Sequence, residues 1–320
     1  MKKQVALGID IGGINTPFGF IDKEGNYLAD GHIETQKHED INDYLKELHL
    51  AIEKVLNTIR DGVELVGIGI GAPNGNYYTG AIEFAPNLRW QGVLPLCDLM
   101  KEYYPALPVF LTNDANAAAI GEMVYGGAKN MKDFVMVTLG TGLGSGYVAN
   151  GALIYGHDGF AGELGHTIVS PNGRQCGCGR KGCLETYVSA TGVKRTAYKM
   201  MAKYNDPSEL RSIPFNDMTS KMVADAAHRG DMIAKYTFDY TGKMLGEALA
   251  NTVAITSPEA IFLFGGLAKA GDLIFKPTKD YMEMNMLKIF SNKVKLLPSQ
   301  LDKNAAIYGA AALVWNELKK

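Results

Sequence analysis

No apolar run in this sequence approaches the length of a membrane-spanning helix, about 18 residues, so a membrane is not an expected partner. There is no long run of one charge sign, and the formal net charge is only -2. A nucleic acid would demand a basic face, so it is not expected as a partner either. Small anionic ligands stay open, because they need only a local site. The start, Met1-Lys2-Lys3-Gln4, runs straight into the strand-like Val5 to Ile11. Asp10 interrupts that apolar stretch and no small-residue cleavage site follows, so no signal peptide is expected and the location is read as cytoplasmic. Four cysteines in 320 residues are too few for a secreted disulfide framework. Three of them fall between positions 176 and 183, which points to a metal.

Hydrophobic residues make up 47% of the chain and charged residues 21%, ordinary globular usage with enough length for two domains. Val5 to Ile11 and Phe18 to Ile21 read as strands joined by a glycine-rich turn, with Tyr27 to Thr35 as a third. Ile41 to Ile59 has helical periodicity, with Ile41, Leu45, Leu48, Ile52, Val55, Leu56 and Ile59 on one face. Leu65 to Ile70 and Val109 to Leu111 are short β-rich runs, and Asn113 to Val124 is an Ala-rich helix. The pattern then restarts with strands Phe134 to Leu139 and Ser145 to Val148 around a second glycine-rich turn. Helices follow near Ala190 to Tyr204, Met218 to Ala227 and Met232 to Ile255, with strands Ala260 to Phe264 and Val294 to Leu297. This alternation predicts an α/β fold with partly parallel sheets, built as a duplicated unit in two lobes. The division is expected at residues 1–118 and 119–303, with a last helix at about 304–320 packing back on the first lobe.

Three glycine turns each follow a strand. They are Asp10-Ile11-Gly12-Gly13, then Leu139-Gly140-Thr141-Gly142-Leu143-Gly144-Ser145-Gly146, then Phe264-Gly265-Gly266-Leu267. Singly, each reads as an ordinary turn. Together they read as cradles for phosphate, with bare N–H groups and the Thr141 hydroxyl as donors. None is a G-x-x-x-x-G-K-S/T loop or a Rossmann fingerprint. Thr112-Asn113-Asp114-Ala115-Asn116 sits between a strand and a helix. There Asp114 could accept a proton from a substrate hydroxyl, or Asn or Asp could simply cap the helix. Asn87, in Ala85-Pro86-Asn87-Leu88, is either a turn residue or part of a polar shell.

The spacing H-x9-C-x-C-x4-C, from His166 through Cys176 and Cys178 to Cys183, is a complete tetrahedral set for structural zinc. Four ligands close the site, so the metal should shape the loop and hold the flanking Glu163 and Glu185 in place. Paired carboxylates and amides suit the adjacent hydroxyls of a sugar.

On these motifs, with Gly162-Glu163-Leu164-Gly165-His166 and Cys183-Leu184-Glu185-Thr186, the chain resembles the ROK family, in particular its bacterial glucokinases. The resemblance runs nearly end to end. It implies an actin-like ATPase fold of two ribonuclease-H-like lobes, with ATP and sugar in the cleft, and a homodimer. It implies an ATP-dependent hexose kinase, with Asp114 as the base that takes the proton of the 6-hydroxyl. Asn87, Asn113, Asp114, Glu163, His166 and Glu185 then match sugar-contacting positions, and His166 also ligates zinc. Gly12, Gly13, Gly140, Thr141 and Gly142 match phosphate loops, Gly265 and Gly266 the turn beside adenosine, and Asp10 the acid near the Mg²⁺–phosphate complex. Two departures stand out. Ile14 replaces the usual Thr, which removes one phosphate hydrogen bond unless a neighbour such as Asn15 or Thr16 supplies it. The usual Pro-Gly near residue 73 appears as Pro73-Asn74-Gly75.

Glucose is the expected substrate, with fructose, mannose and an N-acetylhexosamine as alternatives. A transcriptional repressor of the same family would need an N-terminal helix-turn-helix, and the first glycine motif begins already at residue 10. A catalytically dead sugar-binding protein is favoured only by Ile14.

Overall fold

A computed structural model describes residues 2–301 and 305–319. The chain opens with β1 (Lys3–Asp10), β2 (Asn15–Asp22) and β3 (Tyr27–Glu34), then α1 (Ile41–Ile59) and β4 (Val63–Ala72). Three short strands follow, β5 (Gly75–Asn76), β6 (Ala81–Glu83) and β7 (Val93–Leu94), and then α2 (Leu96–Tyr103), β8 (Val109–Asn113) and α3 (Asp114–Val124). The second half has β9 (Phe134–Leu139), β10 (Leu143–Ala149), β11 (Ala152–Leu153), α4 (Ala190–Lys203), α5 (Ser220–His228), α6 (Met232–Thr256), β12 (Ala260–Phe264), α7 (Asp272–Asn285), β13 (Lys295–Pro298) and α8 (Ala305–Glu317).

The two principal sheets have the same plan. The order is β3-β2-β1-β4-β8 in the first and β11-β10-β9-β12-β13 in the second. Each places an antiparallel three-strand meander beside two parallel strands, so the duplication expected from the repeating pattern is present in the topology. The central strands are covered on both faces and read as continuous apolar runs: Val5, Ala6, Leu7 and Ile9 of β1 are fully buried.

α1 starts at Asp40, whose carboxylate accepts from the Asn42 and Asp43 N–H groups. It buries Leu45, Leu48, Ile52 and Leu56 as expected, together with Tyr44; Ile41, Val55 and Ile59 are half-buried at its edge. The small sheet β5-β6-β7 and the helix α2 lie outside the sequence-based expectation, because strands of two or three residues carry too little periodicity to detect.

α8 lies on β1 and β4, and α3 lies between α8 and the second sheet. A Cβ at Gly8 would strike the Ile307 carbonyl, and one at Gly69 the Ala310 carbonyl, so glycine lets the helix backbone rest directly on the strands. Residues 118 and 119, where the sequence reading divides the chain, both lie inside α3. Residue 303, the expected end of the second lobe, and residues 304 and 320, the expected limits of the last helix, lie outside the described residues. Among the described residues no helix is long and apolar enough to cross a membrane.

Candidate active site

Parallel register brings the strand ends together. Asp10 of β1 pairs with Gly71 of β4, and Ala72 of β4 pairs with Asn113 of β8. Asp10 and Asp114 therefore flank β4 from either side. The intervening Gly71 presents no side chain: a Cβ there would lie 3.8 Å from the Asp114 Cα. Burial pushes the Asp10 carboxyl up to about 7, and the negative charge of Asp114 adds to the shift. Asp114 is open to water, yet the surrounding protein still raises its carboxyl above the ordinary range, against a lowering by the Ala115 N–H.

The two readings of this motif divide between adjacent residues. Asn113 is the N-cap, its side-chain oxygen accepting from Ala115 N at 2.9 Å. Asp114 is the first helical residue. Its Oδ1 accepts from the same N–H at 2.7 Å, and no bond to Oδ2 is found among the described residues.

The first glycine turn closes by Gly12 N donating to Asn15 O at 3.1 Å. Gly13 abuts the Asn87 loop, since a Cβ on it would sit 2.9 Å from the Asn87 carbonyl oxygen. The polar-shell candidate thus borders the first phosphate candidate. Ile14 is 66% exposed, so it is not a core residue. Thr16 does not replace it. Its hydroxyl is fully buried and joined to the Thr35 and Tyr44 hydroxyls, each at 2.8 Å. In Pro73-Asn74-Gly75, Asn74 takes a left-handed φ of 51°, a conformation Asn tolerates better than most residues. Its side chain donates to the Glu83 carbonyl at 3.0 Å, so the loop keeps a glycine-like geometry without glycine.

The second glycine turn is tied to the cysteine loop. Glu185 Oε2 accepts from Leu143 N at 3.0 Å and leaves no room for a side chain at Gly142. The third turn joins the second from the other side. Gly265 has φ 104°, and a Cβ on it would meet the Leu139 carbonyl oxygen at 2.5 Å, so this position requires glycine. Leu267 N donates to the same oxygen at 3.2 Å, which seats Gly265 and Gly266 beside Gly140.

His166, Cys176, Cys178 and Cys183 converge, with ligand atoms all within 4.8 Å of one another. His166 Nδ1 lies 3.8 Å from Cys176 Sγ, and Cys178 Sγ lies 3.6 Å from Cys183 Sγ. Tetrahedral zinc with bonds of about 2.3 Å to sulfur requires ligand separations of about 3.8 Å, so this donor set fits zinc. Glu163 and Glu185 stand beside it. Loss of solvation raises the Glu163 carboxyl above its ordinary range. His166 opposes this, and the charges of Asp114 and Glu185 reinforce it, which places all four in one electrostatic neighbourhood.

Two supports escaped the sequence reading. Ser189 caps α4 by accepting from Gly192 N at 3.1 Å, and Ala190 N donates to Gly140 O at 2.9 Å, so this helix begins against the second glycine turn. Ser before an Ala-led helix is a cap signature that could have been noticed. Arg174 sits half-buried over the Tyr187 ring at 4.5 Å and donates to the Thr186 and Gly192 carbonyls at 2.8 and 3.0 Å. It anchors the loop around Glu185 by neutral acceptors, which leave no charge pattern in the sequence.

The Asp10 shift sets a pH dependence. Between the ordinary 3.8 and about 7 the folded chain holds a proton that the unfolded chain has lost, so this group's contribution to stability falls as pH rises through that window. Asp10→Asn is therefore expected to melt above the unsubstituted protein at pH 8 and to converge with it toward pH 4. Thermal melts across pH check this, and a variant that is less stable at pH 8 contradicts it.

A family model described as ROK family matches residues 6–317. The chain belongs to the ROK family. It is 35% identical to a glucokinase of Halalkalibacterium halodurans, over 98% of this chain and 96% of that one. A crystal structure of a ROK family glucokinase from Streptomyces griseus in complex with glucose and AMPPNP superposes with a TM-score of 0.81. It is 30% identical, and the match covers 98% and 99% of the two chains. The fold is thus that of the ROK sugar kinases, of the actin-like ATPase class. A xylose repressor of Bacillus spizizenii is 30% identical over 98% of this chain and 77% of the repressor. The ROK family therefore includes regulators nearly as similar to this chain as its kinases.

Proposed function

We propose that this ROK protein is an ATP-dependent hexose kinase that moves the γ-phosphoryl group to the sugar 6-hydroxyl, with glucose as the preferred sugar. The observation that carries the reading is the Asp114 carboxylate at the start of α3, opposite Asp10 across the bare Gly71 and electrostatically linked to Glu163. A general base needs a pKa raised toward the working pH, and the raised Asp114 carboxyl has that direction.

In this reading Asp114 takes the proton of the 6-hydroxyl as that oxygen attacks the γ-phosphorus and ADP departs. Asn87, Asn113, Glu163, His166 and Glu185 hold the remaining hydroxyls. His166 Nδ1 faces Cys176 Sγ at 3.8 Å, so if Nδ1 held zinc, Nε2 would remain for the sugar. Gly13, Gly140, Thr141 and Gly142 receive the phosphates, while the Gly12 N–H serves its own turn. Gly265 and Gly266 border adenosine. Asp10 would hold Mg²⁺, which when bound neutralises phosphate charge. Zinc, held by His166 and the three cysteines, would supply a fixed scaffold for the loop. Residues 1–118 with α8 and residues 119–303 would act as the two lobes, in a homodimer in the cytoplasm.

The test is ADP release with glucose, fructose, mannose and N-acetylhexosamines. Glucose should give the highest kcat/KM. A maximum at another hexose reassigns the substrate, and release with none of them removes the kinase reading. The similarity to the xylose repressor favours a second reading, a sugar-binding regulator without turnover. Calorimetric sugar binding with no ADP release would establish that one.

Exposed Ile14 offers no hydroxyl where kinases of this pattern carry Thr. Both residues are β-branched, so the backbone preference barely changes. Ile14→Thr should raise kcat/KM for ATP by up to about tenfold, roughly 1.4 kcal/mol, and leave sugar affinity without nucleotide unchanged. Flat ATP kinetics would show that no phosphate contact is missing there.

A further inference from the structure

The chain passes between the two sheets at two places. One is the connection from α3 to β9, and the other leads from β13 of the second sheet to α8 on the first. Glu122 of α3 is fully buried, and its carboxylate is bound by both. Its Oε1 accepts from Gly127 N at 2.7 Å in the first connection and from Gln300 N at 3.0 Å in the second. Its Oε2 accepts from the Ser299 hydroxyl at 2.5 Å. These partners are all neutral. Among the described residues no cation pairs with this side chain, and its buried oxygens are satisfied by the donors aimed at them. The two connections also touch each other, since a Cβ on Gly127 would lie 3.0 Å from the Gln300 side-chain amide carbon.

We propose that Glu122 is a positioning residue for the transfer reaction: it fastens both interlobe connections to α3, so that the lobes turn about the helix whose first residue is Asp114. Eight residues of helix, roughly 12 Å, separate Glu122 from Asp114. A shift at the pinned end is therefore delivered to the carboxylate in the cleft. The kinetic part of this inference rests on the kinase reading; the pin itself does not.

Glu122→Gln keeps the Oε1 acceptor for both N–H groups, and its new NH₂ can donate to the Ser299 hydroxyl. Glu122→Leu keeps the volume and removes every acceptor. Amide hydrogen exchange should show Gly127 and Gln300 protected in the unsubstituted protein and in Glu122→Gln. In Glu122→Leu both should lose protection together, by about 100-fold. Well below its melting temperature, Glu122→Leu should lose at least about tenfold in kcat, with its KM for glucose changed less than about threefold, whereas Glu122→Gln stays near normal.

Full kcat in a Glu122→Leu protein whose two amides exchange fast would overturn the positioning role. Equal damage in Glu122→Gln would show that charge, not acceptor geometry, matters, and would overturn it too. If Glu122→Leu does not fold, Ser299→Ala removes the Oε2 partner and leaves both Oε1 bonds, though it also takes the Ser299 acceptor from Leu301 N. It should give faster exchange at Gln300 and a smaller drop in kcat, and unchanged values of both refute the pin. Should the unsubstituted protein turn over no hexose, the kinase reading falls and the exchange results alone judge the pin.

Discussion

Asp114→Ala is expected to lower kcat by about 10² to 10⁴, the usual contribution of a positioned general base. The helix should not suffer. Asn113 keeps the cap bond to Ala115 N, and Ala is the residue best suited to a helix. Removing a carboxyl whose pKa is raised in the fold also removes a charge that the fold disfavours at neutral pH, so thermal stability should hold or rise. Zinc content should stay as it was, because Asp114 is not among the four converging ligands. Asp114→Asn preserves the shape and should lose nearly as much turnover. Steady-state kinetics beside a thermal melt and a metal assay separate the outcomes. Near-normal kcat in Asp114→Ala would reduce the residue to a helix-start position and remove the mechanism.

Cys178→Ser is expected to release zinc and raise the KM for hexose by about 10- to 100-fold, the usual scale for losing support around a metal site. Cys178 is the exposed member of the four, so its replacement disturbs core packing least. Sequence reasoning expects sugar binding to weaken more than nucleotide binding, through Glu163 and Glu185. The structure supplies a route by which nucleotide binding is touched at all. Glu185 also accepts from Leu143 N at the end of the second glycine turn, so a loosened zinc loop should raise the KM for ATP as well, by a smaller factor. Metal analysis of the purified chain comes first. Native protein without zinc would end this account of the loop, and a zinc-free Cys178→Ser variant with unchanged sugar KM would show that the metal does not position the carboxylates.

The longer strands and helices, the glycine turns and the cluster of His166 with three cysteines could be read from sequence because each is a local matter, whereas the short β5, β6 and β7 and the helix α2 could not. Alternation and 3.6-residue periodicity span one element, and His166 to Cys183 close on themselves within a single loop. Duplication was legible too, since each half repeats a strand, a glycine turn and a strand. The meeting of these parts needed the tertiary structure. Asp10 reaches Asp114 only because three parallel strands end in register with a glycine between them. Glu185 holds Leu143 across 42 residues, and Glu122 reaches Gln300 across 178. No periodicity encodes such pairs, because a neutral N–H donor is offered by almost every residue and only packing decides which one a carboxylate meets.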